Sequence, residues 1–147
     1  MYSEAYIKRS PDQVSDSINN DFIRNYNVTI QKMTHSQRIR LHFAIMEIEA
    51  WFLGMYNLFS KIDPILTTNY ISEKLSIDLA VIDPQTNFLN PSKQVEQIFE
   101  LCGRSYSKKR DEVESLCSVM ALEDFVNAKE NNRCQCFTNF YQEFISN

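Results

Sequence analysis

The sequence is poor in glycine, since Gly54 and Gly103 are the only two among its 147 residues. Glycine allows the positive-φ turns and the close backbone approaches on which glycine-rich phosphate loops depend. The scarcity excludes a phosphate loop of that kind, and it favours helices over a chain rich in tight turns. A serine nucleophile elbow is missing as well, which excludes the hydrolases that carry that motif.

The sequence also lacks an excess of basic residues. Lysine and arginine number 15 against 19 acidic residues, so the formal net charge is −4. Proteins that coat duplex nucleic acid carry a dominant basic face, and this balance argues against that class. A nuclease is not excluded, because an acidic site can lie on a surface of mixed charge.

No apolar run approaches the roughly 20 residues that a membrane-spanning helix needs. The amino-terminal stretch MYSEAYIKRSPDQ lacks the apolar centre of a signal peptide. The sequence therefore predicts a cytoplasmic protein with no membrane contact. In that compartment the cysteines are expected to be reduced, buried thiols: Cys102, Cys117, Cys134 and Cys136. Only one residue separates the last two, too few for the usual zinc-binding pair, so no zinc is expected.

Helical signals run through a single predicted domain, residues 1–147. Ser10–Gln13 reads as a helix start, and an amphipathic helix is predicted from residue 11 to about 25. NVTIQKM is a weaker candidate for a short strand. Further helices are predicted at residues 68–76, from Asn90 to about Gly103, and once or twice within residues 107–132, with a loop at residues 81–91. The last predicted helix carries an aromatic stripe of Phe137, Phe140, Tyr141 and Phe144.

Residues 38–46 form the best predicted strand. Apolar side chains alternate with polar ones there, and the apolar face consists of Ile39, Leu41, Phe43 and Ile45. The period then changes to a helical stripe: Ile48, Trp51, Phe52, Met55, Tyr56 and Phe59. The fold class predicted from these patterns is α/β or α+β, mostly helical with a small interior sheet around residues 38–46. Trp51 and Phe52 are expected to be buried behind that strand.

Glu47 and Glu49 fall at the change of period, at the carboxyl end of the strand and in the first turn of the helix. One interpretation is structural, because a helix start favours negative charge by about 0.3–1 kcal/mol per group. The other is functional, since carboxylates at that edge suit Mg²⁺, which takes only a few protein oxygens and keeps several waters. Another carboxylate from elsewhere is then needed, and Asp111, Asp124 or an acid from a partner subunit could supply it.

A basic cluster precedes a later helix: Arg104, Lys108, Lys109 and Arg110. These side chains could contact phosphates, or they could form an ordinary solvated turn. The sequence alone leaves both interpretations open.

The segment MEIEAWFLG resembles the ELEAWFLGD signature of an uncharacterised prokaryotic family, domain of unknown function 4276. Three further segments resemble that family in the same order. They are IDPQTNFLNPSKQVEQIF for its Pro-Ser-Lys segment, YSKKRDEVESL for its Tyr-x-Lys…Arg-Asp stretch, and CQCFTNFYQEF for its closing helix. The resemblance covers about residues 38–146.

The resemblance implies a Toprim-like fold, bound Mg²⁺ and phosphodiester cleavage of nucleic acid. It also implies a role in defence against phage beside an ABC-type ATPase. Carried over residue by residue, Glu47 and Glu49 match the acidic signature as catalytic metal ligands, and Lys108 and Arg110 match the second motif as phosphate-binding residues.

The sequence departs from the family pattern at two points. The Asp after WFLG is Met55 here, and the acidic strands that begin a Toprim-like domain are not legible before residue 38. The chain therefore resembles the carboxyl-terminal part of such a domain. Two hypotheses follow: a Mg²⁺-dependent nuclease or nuclease subunit, and a non-catalytic subunit that binds an ATPase or its own copies through aromatic helices.

Overall fold

The computed structural model describes residues 7–10, 12–131 and 133–146. Its principal helices follow one another along the chain: α1 (Asp16–Gln31), α2 (Glu49–Gly54), α3 (Leu58–Ile62), α4 (Thr68–Leu75), α5 (Pro84–Asn87), α6 (Pro91–Glu100), α7 (Arg110–Ser118), α8 (Leu122–Glu130) and α9 (Gln135–Ile145). A single 3-10 turn, Ser36–Arg38, lies between α1 and α2.

Local sequence explains where several of these helices begin. Thr67 precedes α4 and accepts a hydrogen bond from the Tyr70 backbone N–H at 3.2 Å. Asp83 does the same for α5 by accepting from the Gln85 N–H at 3.0 Å. Proline occupies the first position of both α5 and α6, where its missing N–H costs nothing.

A large apolar core is shared by the part of the chain that runs from α2 through α9. Helix α2 packs against α5 and α6, α4 packs against α6, and α8 packs against α9. Leu53 and Phe59 are fully buried in this core, and Phe137 brings in the last helix. Trp51 is only partly buried, and its ring lies 5.4 Å from the rings of Phe137 and Phe140.

A second, much smaller core attaches α1 to the rest of the chain. Its buried members are Ile18 and Met46. The partly buried side chains packed on them are Val14, Phe22, Ile45 and Leu89. The amino-terminal region is therefore held by far less apolar contact than the region from α2 onward.

The predicted sheet is wrong. Throughout the described residues no strand is present, and residues 39–44 run without regular structure. A strand needs a neighbour for its backbone hydrogen bonds, and the other candidate segment, NVTIQKM, contributes to α1 instead. Ile39 is 38% exposed, so the alternating face does not form an interior surface. The described chain is helical, so the predicted α/β or α+β fold class, including the partial Toprim-like domain, is wrong.

The first helix starts later than predicted. It begins at Asp16 rather than residue 11 and continues to Gln31. Ser10 does not cap it; its hydroxyl donates to the Gln13 carbonyl at 2.6 Å and stabilises a bend. Pro11, the predicted first helical residue, lies outside the described residues.

The remaining helix predictions have mixed outcomes. The helix at 68–76 is confirmed as α4, and the aromatic terminal helix is confirmed as α9. The stripe from Ile48 to Phe59 belongs to two short helices rather than one, and the predicted loop at 81–91 contains α5. None of the described helices is long and apolar enough to cross a membrane.

Candidate functional site

The carboxylate of Glu47 lies between a lysine and a helix start. One oxygen accepts a hydrogen bond from the Lys108 ammonium, 61 residues away along the chain. The other accepts from the Ser92 backbone N–H at 2.8 Å, in the first turn of α6. An ammonium and a helix amino terminus both favour the charged carboxylate.

Glu49 points inward from the first turn of α2 and is only 2% exposed. One of its oxygens accepts from the Tyr106 hydroxyl at 2.8 Å, and the other lies 3.8 Å from the Lys108 nitrogen. The two glutamates therefore share one ammonium. Two carboxylates therefore face one positive charge and one neutral hydrogen-bond donor.

The loop before α7 holds Lys108 in place. Glu112 accepts backbone hydrogen bonds from Ser107 at 2.6 Å and from Lys109 at 3.0 Å, so both neighbours of Lys108 are fixed. The Glu112 pKa is lowered chiefly by the Ser107 bond. The carboxylate at the start of α7 thus orders the segment that presents the lysine.

The backbone on both sides of this contact is unusual. Met46, just before Glu47, has φ of 63°, and Lys108 has φ of 61°. The left-handed region costs a residue with a Cβ about 1–3 kcal/mol, and such residues concentrate at functional sites. The same conformation occurs at His35, Ser76 and Cys134, so it is not confined to this contact.

The electrostatics of the group follow from partial burial. Burial acts to raise the pKa of Glu47, but the hydrogen bonds from Lys108 and the Ser92 backbone outweigh it, so the pKa is lowered. Burial, followed by the hydrogen bond to Glu49, raises the pKa of Tyr106 well above its usual range. At neutral pH, Glu47 is charged and Tyr106 remains a hydrogen-bond donor.

The other predicted site residues lie elsewhere or make other contacts. Arg110 pairs with Glu114 at 2.7 Å and has a 91% exposed side chain. Asp124 is buried and pairs with Lys61 at 2.8 Å, away from the glutamates. Among the described residues no group of three or more histidine, cysteine or acidic side chains could hold a metal ion. The expected third carboxylate is not supplied by Asp111 or Asp124.

The structure adds three groups that the sequence did not single out as site residues: Tyr106, the Ser92 backbone and Glu112. Tyr106 lies in the Tyr-x-Lys motif, so its position was a usable signal. The Ser92 N–H and the Glu112 contacts depend on how separate helices meet, and no local pattern indicates that.

The four cysteines are free. Cys134 is buried, and its thiol lies 3.3 Å from the Ala50 carbonyl oxygen. Burial raises the pKa of Cys136. Cys102 and Cys136 are only partly buried and Cys117 is exposed, so the expectation of buried thiols holds for Cys134 alone.

The donor set at Glu47 and Glu49 suits a hard cation. Carboxylate oxygens are the ligands that Mg²⁺ prefers, and this ion is often held by one or two carboxylates plus substrate phosphates. Lys108 offsets one of the two negative charges, and a cation would compete with it for Glu47. The lysine side chain is 44% exposed and sits on a flexible stem, which leaves it free to turn toward solvent.

No protein-family model, curated protein or solved structure matches this chain.

Proposed function

We propose that this chain is a subunit of a Mg²⁺-dependent enzyme that cleaves phosphodiesters in nucleic acid, with Glu47, Glu49 and Lys108 as its site. The observation that supports this is their convergence at one partly exposed place, although the lysine is about 60 residues distant in sequence. The motif resemblance points to the same chemistry. The proposal includes an ABC-type ATPase partner and a role in antiviral defence.

Each side chain has a defined part in this proposal. Bound Mg²⁺ would act as a Lewis acid that polarises a phosphoryl oxygen. Glu47 and Glu49 would hold the ion, and Tyr106 would fix the orientation of Glu49 through its hydroxyl. Lys108, once released from Glu47, would neutralise a phosphate oxygen, and the exposed Arg110 would contact the nucleic-acid backbone.

The test compares glutamine substitutions with a matched control. Glu47→Gln and Glu49→Gln keep the side-chain size and remove the charge. Both should abolish Mg²⁺-dependent cleavage of DNA or RNA oligonucleotides and weaken Mg²⁺ binding measured by calorimetry. Glu73→Gln, which removes an exposed carboxylate from α4 outside the site, should leave both unchanged.

Parental activity in both site variants would refute the assignment. So would a parent protein that neither binds Mg²⁺ nor cleaves, alone or with its ATPase partner. The calorimetric measurement separates a failure to bind metal from a failure to turn over.

A second candidate function is a non-catalytic subunit that acts by assembling with other chains. The observation that favours it is the apolar surface of α8 and α9, where Leu122, Phe144 and Ile145 are 69%, 74% and 57% exposed. This candidate would be selected by two results together. The parent and both glutamine variants would show the same properties with and without Mg²⁺, and substitutions on this surface would abolish assembly.

A further inference from the structure

An apolar groove of about 490 Å³ runs between α8 and α9. Its lining consists entirely of apolar and aromatic side chains: Leu122, Phe125, Phe140, Tyr141, Phe144 and Ile145. Phe125, on the inner side of the groove, packs against the rings of Phe137 and Tyr141 and so connects the groove to the core. The outer residues remain in solvent.

The exposed part of this surface is comparable to the largest apolar patch of a typical monomer. Its three most exposed side chains leave roughly 400 Å² of apolar area in water, if a large side chain offers about 150–250 Å². The largest apolar patch on a monomer is about 300–600 Å² and is often a functional surface. A standard interface takes about 800 Å² from each partner, of which a little over half is apolar. The surface therefore matches one side of a stable dimer.

The surface carries a projection and hollows that could receive it. Phe144 is 74% exposed and forms a wall shared by the groove and a second hollow of about 160 Å³. A two-fold interface uses the same patch on both copies, so that patch must both project and receive. Phe144, standing beside the groove, meets this requirement.

The charges beside the groove are compatible with self-pairing. Glu143 pairs with Arg40 at 2.6 Å and with His42 at 3.1 Å. Glu123, next to Leu122 in the chain, pairs with Lys61 at 3.0 Å. A patch of one sign would repel its own copy and attract a charged partner. Lys61 also pairs with Asp124 at 2.8 Å, so each flanking carboxylate has a basic partner within the chain. The groove therefore offers no strong charge of one sign to a charged partner, which favours a second identical patch as the occupant.

We propose that this protein pairs with a second copy of itself through a two-fold interface of α8 and α9, in which Phe144 of each copy enters the groove of the other. The inference deepens the second candidate function by naming the partner and the surface. It is independent of the metal-dependent proposal, because the groove and the Glu47 site share no residue.

The test measures mass in solution without metal or nucleic acid. Sedimentation velocity over a range of concentrations should show the 17.3 kDa chain as a dimer. Phe144→Asp and Leu122→Asp should each raise the dissociation constant at least tenfold, with unchanged circular dichroism. Val81→Asp is the matched control, since Val81 is also 74% exposed but does not line the groove, and it should remain dimeric.

A parent protein that stays monomeric at every concentration would overturn self-pairing and leave the groove to another occupant. Dimers of Phe144→Asp as tight as the parent would overturn the assignment of the surface. Open-ended growth beyond two chains would overturn the two-fold geometry. None of these results bears on Mg²⁺ binding at Glu47, so the two proposals fail separately.

Discussion

At the scale of single residues, the distinctive feature is a pair of glutamates with unequal surroundings. Glu49 is buried and held by the neutral Tyr106 hydroxyl, while Glu47 is partly exposed and held by a charged ammonium. A partly exposed ion pair contributes about 0.2–1 kcal/mol. Glu47 therefore adds little to the stability of the fold at neutral pH, but its contribution should change with pH.

The lowered pKa of Glu47 predicts that this pair loses its stabilising effect in acid. A carboxyl group whose pKa is lower in the folded state than its usual 4.5 stabilises the fold above that value. The contribution disappears as the pH falls through the folded pKa. Urea unfolding from about pH 5 to about pH 3 should show a smaller loss of stability in Glu47→Gln than in the parent.

Lys108→Met provides the complementary measurement. It removes the ammonium that lowers the Glu47 pKa, so its pH dependence should also be shallower than that of the parent. The Ser92 N–H still lowers the Glu47 pKa in this variant, so its profile should lie between those of the parent and Glu47→Gln. The double variant should resemble Glu47→Gln in its pH dependence, because Lys108 acts on the titration of Glu47 only where Glu47 is present. A Glu47→Gln profile as steep as the parent's would show that the pair does not contribute to acid sensitivity.

Sequence reasoning selected three of the residues that meet at this site: Glu47, Glu49 and Lys108. The change of period and the basic cluster made them candidates, and the motif resemblance implied their metal-binding and phosphate-binding roles. The sequence could not show that Lys108 contacts the two glutamates, because that contact depends on the loop that Glu112 fixes. Arg110 carries the same kind of charge two residues further along, yet it faces Glu114 and solvent.

At the scale of helices, α2 and the residue before α9 approach each other closely at Gly54. A Cβ added at Gly54 would lie 2.8 Å from the Cys134 sulfur. Cys134 is fully buried and has φ of 53°, so it has little freedom to withdraw. Its backbone N–H also donates to Asp83 at 3.2 Å. The glycine allows the two segments to approach.

Gly54→Ala should therefore destabilise the protein despite the better helix propensity of alanine. Propensity alone would stabilise by about 0.5–1 kcal/mol, whereas overpacking in a tight core costs about 1–3 kcal/mol. Adding Cys134→Ala removes the clashing sulfur and should recover part of the loss. Urea unfolding of both single variants and the double variant measures the coupling, expected at about 0.5–3 kcal/mol. An increase in stability from Gly54→Ala alone would contradict this packing.

The helical elements show which sequence signals carried information. The aromatic spacing predicted α9, and Thr67 caps the start of α4 by accepting from the Tyr70 N–H. Both signals act within one or two helical turns. The alternation at residues 38–46 is equally local, but a strand also needs a paired neighbour. The chain supplied none in the described residues, so a correct local pattern led to a wrong element.

At the scale of the whole molecule, the two cores differ greatly in size. Leu53 lies in the large core that α2 to α9 share, whereas the small core has two buried members among the described residues, Ile18 and Met46. Apolar burial stabilises by roughly 25 cal/mol per Å². The region of α1 should therefore open at a lower free energy than the rest of the described chain.

Amide hydrogen exchange should resolve this difference. Backbone amides of α1 should exchange faster than those of α6, which is rooted in the large core by Val95 and Ile98. Ile18→Ala should accelerate exchange in α1 and around Met46 while leaving α6 near the parent rate. Leu53→Ala, with an expected cost of about 2–5 kcal/mol, should accelerate both regions.

The position of Met46 connects this opening to the candidate site. Met46 belongs to the small core and directly precedes Glu47, so loss of that core releases one side of the glutamate's backbone. Ile18→Ala should therefore also increase exchange at the Glu47 amide, which otherwise donates to the Ile45 carbonyl at 2.9 Å. If exchange rises only within α1, the small core and the site are independent, and α1 serves as an appendage rather than a support for Glu47.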